Sequence, residues 1–235
     1  MLAAHPDAVV RDLTLLANPA HSALTGRQAH MGLRRGRAAR FRPDVSPFAG
    51  LPADAGAQDW ADLAALVEPG ETVILVGPRR VLPDGWLVQP VFDGVQMNGA
   101  ALAVERDPEA VELGDEDVPE MLDLVRRTNP GPFLTHTIDI GRYLGIHRDG
   151  RLVAMAGERM HVAGATEISA VCTDPALRGH GLASRLVKAV GFGIRERGEV
   201  PFLHVSATNT GAIRLYESLG FVHAREMVFQ PLQRG

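Results

Sequence analysis

The sequence predicts an α+β fold built on a mixed, mostly antiparallel sheet, and three observations carry that expectation. Apolar runs of strand length recur along the chain, among them Thr72-Val-Ile-Leu-Val76, Leu152 to Val162 and Phe202-Leu-His-Val-Ser-Ala207. Between them lie stretches of helical period, clearest where Leu182, Leu186, Ala189, Val190 and Ile194 recur at i, i+4, i+7 and i+8 spacing. Turn signals such as Gly77-Pro78, Asn129-Pro-Gly-Pro132 and Arg148-Asp-Gly150 punctuate the two kinds of segment.

Taken in order, Asn18 and Pro19 mark an N-cap and a first-turn proline before a helix through about residue 33. A Pro/Gly/Asp-rich loop fills about 42–58, and Asp59 then caps a short amphipathic helix from Trp60 to Val67. Glu71 to Val76 reads as a buried strand. Trp86 to Phe92 and Val95 to Val104 read as a strand pair with Asp93-Gly94 as its hairpin turn. Val111-Glu-Leu113 is a short strand, and Gly114-Asp115 opens a helix through Arg127 whose acidic first turn suits the helix dipole better than a metal. Thr135 to Ile140 is a loop or helical turn. Tyr143 to His147 and Leu152 to Val162 form a hairpin, Glu167 to Thr173 is a further strand, and after helix, strand and helix a last pair of strands runs to Leu232.

At 235 residues and 46% hydrophobic, the chain has material for one or two domains. The first thirty residues mix His5, Asp7, Arg11 and Asp12 with short apolar runs, unlike a signal peptide, and no stretch approaches the ~18 apolar residues of a membrane span. The expectation is a cytoplasmic protein with no membrane partner. The single cysteine, Cys172, excludes an internal disulfide framework, and the nine histidines show no ligand spacing, so no metal is implied. A net charge of −4 argues against a nucleic-acid partner. The one basic cluster, Arg27, Arg34, Arg35, Arg37, Arg40 and Arg42, reads as a solvated helix face and loop, with a patch for an acidic ligand or nucleic acid as the alternative.

Residues 171–183, Val-Cys-Thr-Asp-Pro-Ala-Leu-Arg-Gly-His-Gly-Leu-Ala, run from a strand through a glycine-bearing turn into a helix. Gly179 and Gly181 remove the Cβ atoms that would block an anion from the backbone, Arg178 adds a positive charge, and the amides opening the helix point at the same place. Downstream, Asn209 to Phe221 reads as a helix capped by Asn209 and closed by Gly220, with Ala212, Tyr216 and Leu219 on one face. Arg178-Gly-His-Gly-Leu-Ala183 resembles the acyl-CoA pyrophosphate loop of the GNAT superfamily of N-acetyltransferases, and Asn209 to Phe221 resembles its second signature. The first hundred residues resemble the glycine N-acyltransferase-like branch only in layout.

The resemblance implies a GNAT acyl-CoA N-acyltransferase fold in residues 105–235, preceded by a small α/β N-terminal domain over 1–104 that carries no cofactor motif. A degenerate half-copy of the catalytic fold would fit the order of N-terminal elements. It implies direct transfer of an acetyl or other acyl group from acetyl-CoA, as co-substrate, to a primary amine. Val171, Cys172 and Thr173 would hold the pantetheine arm; Arg178, Gly179, His180, Gly181, Leu182, Ala183 and Ser184 would hold the diphosphate; Asn209, Ala212 and Tyr216 would complete the cofactor site. Tyr216 sits where the family's general acid sits, and an ordinary phenol pKa of ~10 suits protonation of a thiolate. Cys172 reads as a buried small side chain beside the cofactor. Glu167, on the face shared by Ser169, Val171 and Thr173 under strict alternation, is the candidate base; a bulge in this strand would alter that facing. Glu158 is the alternative base, a water chain would need neither, and His136 and His161 are weaker candidates. A catalytically degenerate acyl-CoA-binding regulatory module, or a structural protein, are the competing classes. The acceptor is not legible, and a homodimer is left open.

Overall fold

The computed structural model describes residues 15–235, so the N-terminal features at His5, Asp7, Arg11 and Asp12 lie outside the described residues. In chain order the elements are α1 (Pro19–Leu24), β1 (Gly32–Arg35), β2 (Ala38–Phe41), β3 (Phe48–Gly50), α2 (Ala57–Ala64), β4 (Thr72–Gly77), β5 (Trp86–Val88), β6 (Phe92–Asn98) and β7 (Val111–Glu112). Then follow α3 (Val118–Thr128), β8 (Tyr143–Arg148), β9 (Arg151–Val162), β10 (Ala165–Thr173), α4 (Leu182–Glu196), β11 (Val200–Ser206), α5 (Thr210–Ser218) and β12 (Val222–Arg234). Among the described residues no helix is long and apolar enough to cross a membrane.

All these strands join one sheet in the order β1-β2-β3-β4-β12-β6-β11-β10-β9-β8-β7, with β5 pairing the far part of β12. Pairing is antiparallel except for β3 with β4 and β10 with β11. This is the expected mixed α+β sheet. It crosses the 104/105 boundary, because β6 lies between β11 and β12 and pairs with both. On one face α4 buries Leu182, Leu186, Ala189, Val190 and Ile194, the stripe visible in the sequence, against β10, β9 and β8. On the other, α1 and β3 cover a second core with Phe48, Phe202 and Phe229, and α3 covers a third with Tyr143, Met155 and Cys172.

Several local expectations change. The first helix stops at Leu24 instead of residue 33, and Gly32 to Phe41 forms a tight hairpin through Gly36, whose φ is 53°. Asn18 does not cap; its Nδ2 donates to the Leu51 carbonyl at 2.7 Å. Helix α2 begins at Ala57, and Asp59 is its third residue, accepting from the Gly56 amide at 2.8 Å. The loop before it contains β3. Asp93-Gly94 is no turn but the interior of β6: a Cβ on Gly94 would lie 2.6 Å from Phe229 Cε2, so the glycine makes room for a ring. The last strand pair is the single strand β12, held from β4 on one side and from β6 and β5 on the other.

The basic cluster is likewise not a helix face. Arg40 is buried and clasps Glu71 at 2.6 Å, Arg37 pairs with Asp59 at 2.7 Å, Arg35 with Asp62 at 3.3 Å, and Arg27 with Glu199. Carboxylates thus neutralise most of a patch that an acidic partner would need to find bare.

Removing β6 exposes the facing edges of β11 and β12. A fragment beginning at residue 105 should therefore be inactive or aggregation-prone, and the full chain should unfold in one thermal transition. Size-exclusion chromatography and a thiol-release assay check this; a soluble, monomeric fragment with full activity would show that β6 is dispensable.

Candidate active site

Parallel strands β10 and β11 pair only from Ala165 with Val200 to Glu167 with Phe202. Beyond that they separate, and a cleft of about 1110 Å³ opens between them. β10 from Ile168 to Thr173 keeps β9 on its outer side but has no strand toward β11, so its inward amides are available to a guest. The backbone is shaped for this. Ala170 and Val171 together face the single residue Ala156, a bulge in which Ala170 takes φ 52°. Thr173 Oγ1 is buried with no hydrogen-bond partner among the described residues.

At the end of β10 the chain turns into α4. Gly179 and Gly181 have φ of 82° and 75°, left-handed values that favour glycine, and a Cβ on either would meet no protein atom within 4 Å. Packing does not require these glycines; backbone shape and an open side do. Gly181 is the N-cap of α4 and no side chain among the described residues caps the helix, so its first amides are free to meet an anion. Arg178, Gly179, Gly181, Leu182, Ala183 and Ser184 line the cleft together with Val171, Cys172 and Thr173. His180 does not. Its Nδ1 lies 3.2 and 3.1 Å from the Leu177 and Arg178 carbonyls, where the ring braces the turn. This cradle has the shape and charge for a diphosphate.

Across the cleft, the Asn209 side chain accepts from the Ala212 amide at 3.1 Å and caps α5, as its sequence position predicts. Gly220 closes the helix at φ 100°. Asn209, Ala212 and Tyr216 all reach the cleft. Tyr216 packs edge-on to Phe221 at 5.8 Å between centroids, and burial pushes its phenol up to about 12, so it stays protonated through the neutral range. Burial also pushes the Cys172 thiol up to about 11, which leaves it a small packed side chain rather than a nucleophile.

The carboxylates are arranged otherwise than strict alternation predicts. Arg159 and Met160 of β9 face the single residue Glu167, and with the second bulge at 170–171 the facing of β10 changes along its length. Val171 accordingly packs in the cluster with Ile168, away from Glu167. Glu167 has no exposure and does not line the cleft. It accepts from Arg159 Nε at 2.9 Å and Nη2 at 2.6 Å, and its Oε1 lies 2.6 Å from His204 Nδ1. Burial would raise its carboxyl, but Arg159 and His204 outweigh that and hold it down at about 2. An ionised, fully engaged carboxylate of this kind fixes its partners and is a poor proton acceptor. Glu158 is no better placed: it is buried away from the cleft, bonded to Arg197 at 2.8 Å, with His161 3.4 Å away. Burial raises the Glu158 carboxyl, and burial lowers His161 to about 4. His136 lies near Asp139, at 3.4 Å, and also stands off the cleft.

Sequence reading missed what does line the cleft beside β10: Arg159, His204, Phe48, Ile74, Phe92, Phe229 and the loop Asn129 to Pro132. His204 lies two residues past Phe202, the last residue of β11 paired with β10, and Gln96 Nε2 approaches its Nε2 at 3.0 Å while also donating to the Leu16 carbonyl. That fixes the imidazole between Gln96 and Glu167. The helix α3 ends at Asn129, left-handed at φ 49°, and the Pro-Gly-Pro that follows forms wall instead of mere linker. Among the described residues no group of three or more His, Cys, Asp or Glu is placed to hold a metal.

A carboxylate whose pKa is depressed on folding contributes stability above its unfolded value, near 4.5, and that stability is lost as pH falls toward about 2. Glu167→Gln removes this dependence. Its thermal midpoint should fall at pH 7 yet decline less steeply than the wild type's between pH 5 and 3, as differential scanning fluorimetry measures; parallel declines would detach Glu167 from acid unfolding.

With this geometry in view, comparison with known proteins gives a consistent result. The family described as FR47-like protein matches residues 143–230. Mycothiol acetyltransferase of Thermomonospora curvata is 29% identical over 196 residues, 80% of this chain and 61% of that protein. The counterpart from Brachybacterium faecium is 39% identical over 95 residues, 37% of this chain and 28% of that protein. The chain thus spans less than two thirds of the length of these curated relatives. A crystal structure of a GNAT-family protein from Novosphingobium aromaticivorans is 39% identical, with a TM-score of 0.86, and the match covers 99% of this chain and 100% of that one. The sequence motifs, the parted strands and this full-length likeness agree: the chain belongs to the GNAT family.

Proposed function

We propose that this protein is an acyl-CoA-dependent N-acetyltransferase that moves an acetyl group from acetyl-CoA directly to a primary amine. The observation that carries the reading is the pair of left-handed glycines at 179 and 181, open on their Cβ side beside the uncapped start of α4, with Tyr216 across the same cleft. In this reading the cradle amides and Arg178 hold the diphosphate, and the unpaired edge of β10 at Val171 to Thr173 takes the pantetheine arm and polarises the thioester carbonyl. The name of the mycothiol acetyltransferases concerns those proteins; at the coverage observed it does not carry their acceptor to this chain.

The acceptor nitrogen attacks the thioester carbon, a C–N bond forms, and the tetrahedral oxyanion rests on the β10 amides. As the C–S bond breaks, Tyr216 gives its proton to the thiolate; the proton lost by the ammonium restores the phenol through water. Among the described residues no Asp or Glu side chain lines the cleft, and both ring nitrogens of His204 are engaged by Glu167 and Gln96, so water takes that proton first. Glu167 and Glu158 are thereby reassigned from base to support.

Gly181→Val forces a β-branched residue to φ 75° and fills the open side, and Arg178→Ala removes a charge; each should weaken acetyl-CoA binding about tenfold or more by calorimetry. Unchanged affinity in a folded variant would sink the cradle. Tyr216→Phe should lower turnover by roughly 10- to 1000-fold with acetyl-CoA affinity nearly intact. Equal loss of both would make Tyr216 a packing residue, and binding with no thiol release from any amine would favour a regulatory module.

A further inference from the structure

We infer that the acceptor is a small primary amine with a large apolar body and a carboxylate, and that Arg159 receives the carboxylate; this deepens the transferase reading and rests on it. The part of the cleft away from the cradle has an unusual lining. Phe48, Ile74, Phe92 and Phe229 form one wall, supplied by the strands β3, β4, β6 and β12 that lie outside the cofactor motifs. Phe92 stacks on Phe229 at 4.8 Å with the planes 4° apart, and Phe48 meets Phe229 edge-on at 6.3 Å. Gly94 permits this stack, since a Cβ there would enter the Phe229 ring. Phe92 nevertheless leaves 45% of its surface open, an apolar face that no other described residue covers.

Charge decides the rest. The ionisable side chains on the cleft wall, apart from the high-pKa Cys172 and Tyr216, are Arg159, Arg178 and His204, and no carboxylate lines it among the described residues. A polyamine or aminoglycoside would bring several positive charges into a cleft with nothing to meet them. Arg159 is oriented for the opposite guest. Nε and Nη2 are fixed on Glu167 and the guanidinium lies over Phe48, 4.7 Å from the ring centroid, leaving Nη1 without a hydrogen-bond partner among the described residues on a side chain that still touches the cleft. A guanidinium held flat on a ring with one edge free is a rigid receptor for a carboxylate, and the aromatic wall around it suits an aromatic or branched side group. Glu167 is then a positioning residue that aims Arg159 and His204 without touching the acceptor.

The test compares acceptor pairs that differ only in the carboxylate, at saturating acetyl-CoA with the full chain: L-phenylalanine against phenethylamine and L-leucine against isoamylamine, with spermidine as the polycation. Acetyl-CoA binding is measured separately by calorimetry, as is binding of N-acetyl-L-phenylalanine and N-phenethylacetamide. The carboxylate-bearing member of each pair should have kcat/KM about 10- to 100-fold higher, and its acetylated product should bind correspondingly tighter. Arg159→Gln should collapse that preference toward parity while acetyl-CoA affinity holds; should that variant not fold, Phe92→Ala, at an exposed position, should lower kcat/KM for phenylalanine several-fold with KM carrying most of the change. Preference for the amine lacking a carboxylate, preference for spermidine, or no binding or turnover of any carboxylate-bearing compound while acetyl-CoA binds would each overturn this inference and leave the transferase reading standing. Failure to bind acetyl-CoA would overturn both.

Discussion

The rest of the site depends on the parting of two parallel strands. β10 and β11 share a short paired stretch and then diverge, and neither collapses back because each is satisfied on its outer side, by β9 and β6 respectively. A strand edge left open inside a protein is costly unless something completes it. Here the opening is wide enough for an extended guest, and the bulge at Ala170 and Val171 bends β10 where that guest's reactive end would lie. Cradle, phenol and aromatic wall are all placed by their distance from this fork.

The second constraint is the burial of Glu167. An ionised carboxylate with no exposure is tolerable only if its oxygens are fully engaged, and Arg159 and His204 both come to it from neighbouring strands. The same bonds that make Glu167 tolerable rob it of basicity, and they hold two cationic or dipolar side chains at the cleft in fixed orientation. Arg159 gains a further support from the Phe48 ring. A charge buried for positioning thus replaces the charge expected for chemistry.

What could be read in the sequence follows the range of the forces involved. The glycines at 179, 181 and 220 were legible because a left-handed backbone is a local demand that few other residues meet. The α4 stripe was legible because helical burial repeats within the helix. The facing of Glu167 was not, since two bulges along β10 are set by pairing with β9 and leave no mark in the alternation of residues 165–173. Nor was the β1–β2 hairpin, whose arginines at 35 and 37 read as part of a solvated helix until Asp54, Asp59 and Asp62 supply their partners from further along the chain. Asp93-Gly94 misled in the opposite sense: a turn dipeptide was kept inside a strand by a ring of β12. Arg159 and His204 carried no motif at all, and only the fork makes them neighbours of the cleft.

The position of β12 also bears on how the molecule is assembled during synthesis. The last of the described strands in chain order lies near the middle of the sheet, between β4 on one side and β6 and β5 on the other. Until it emerges, β4 and β6 have each an unclosed inner edge, and the aromatic wall lacks Phe229. Before β12 is made the nascent chain therefore holds sticky, half-built edges, and closure comes as an insertion that joins β4 to β6 and the strands beyond it in a single event. A chaperone that shields those edges would act on this protein before β12 exists.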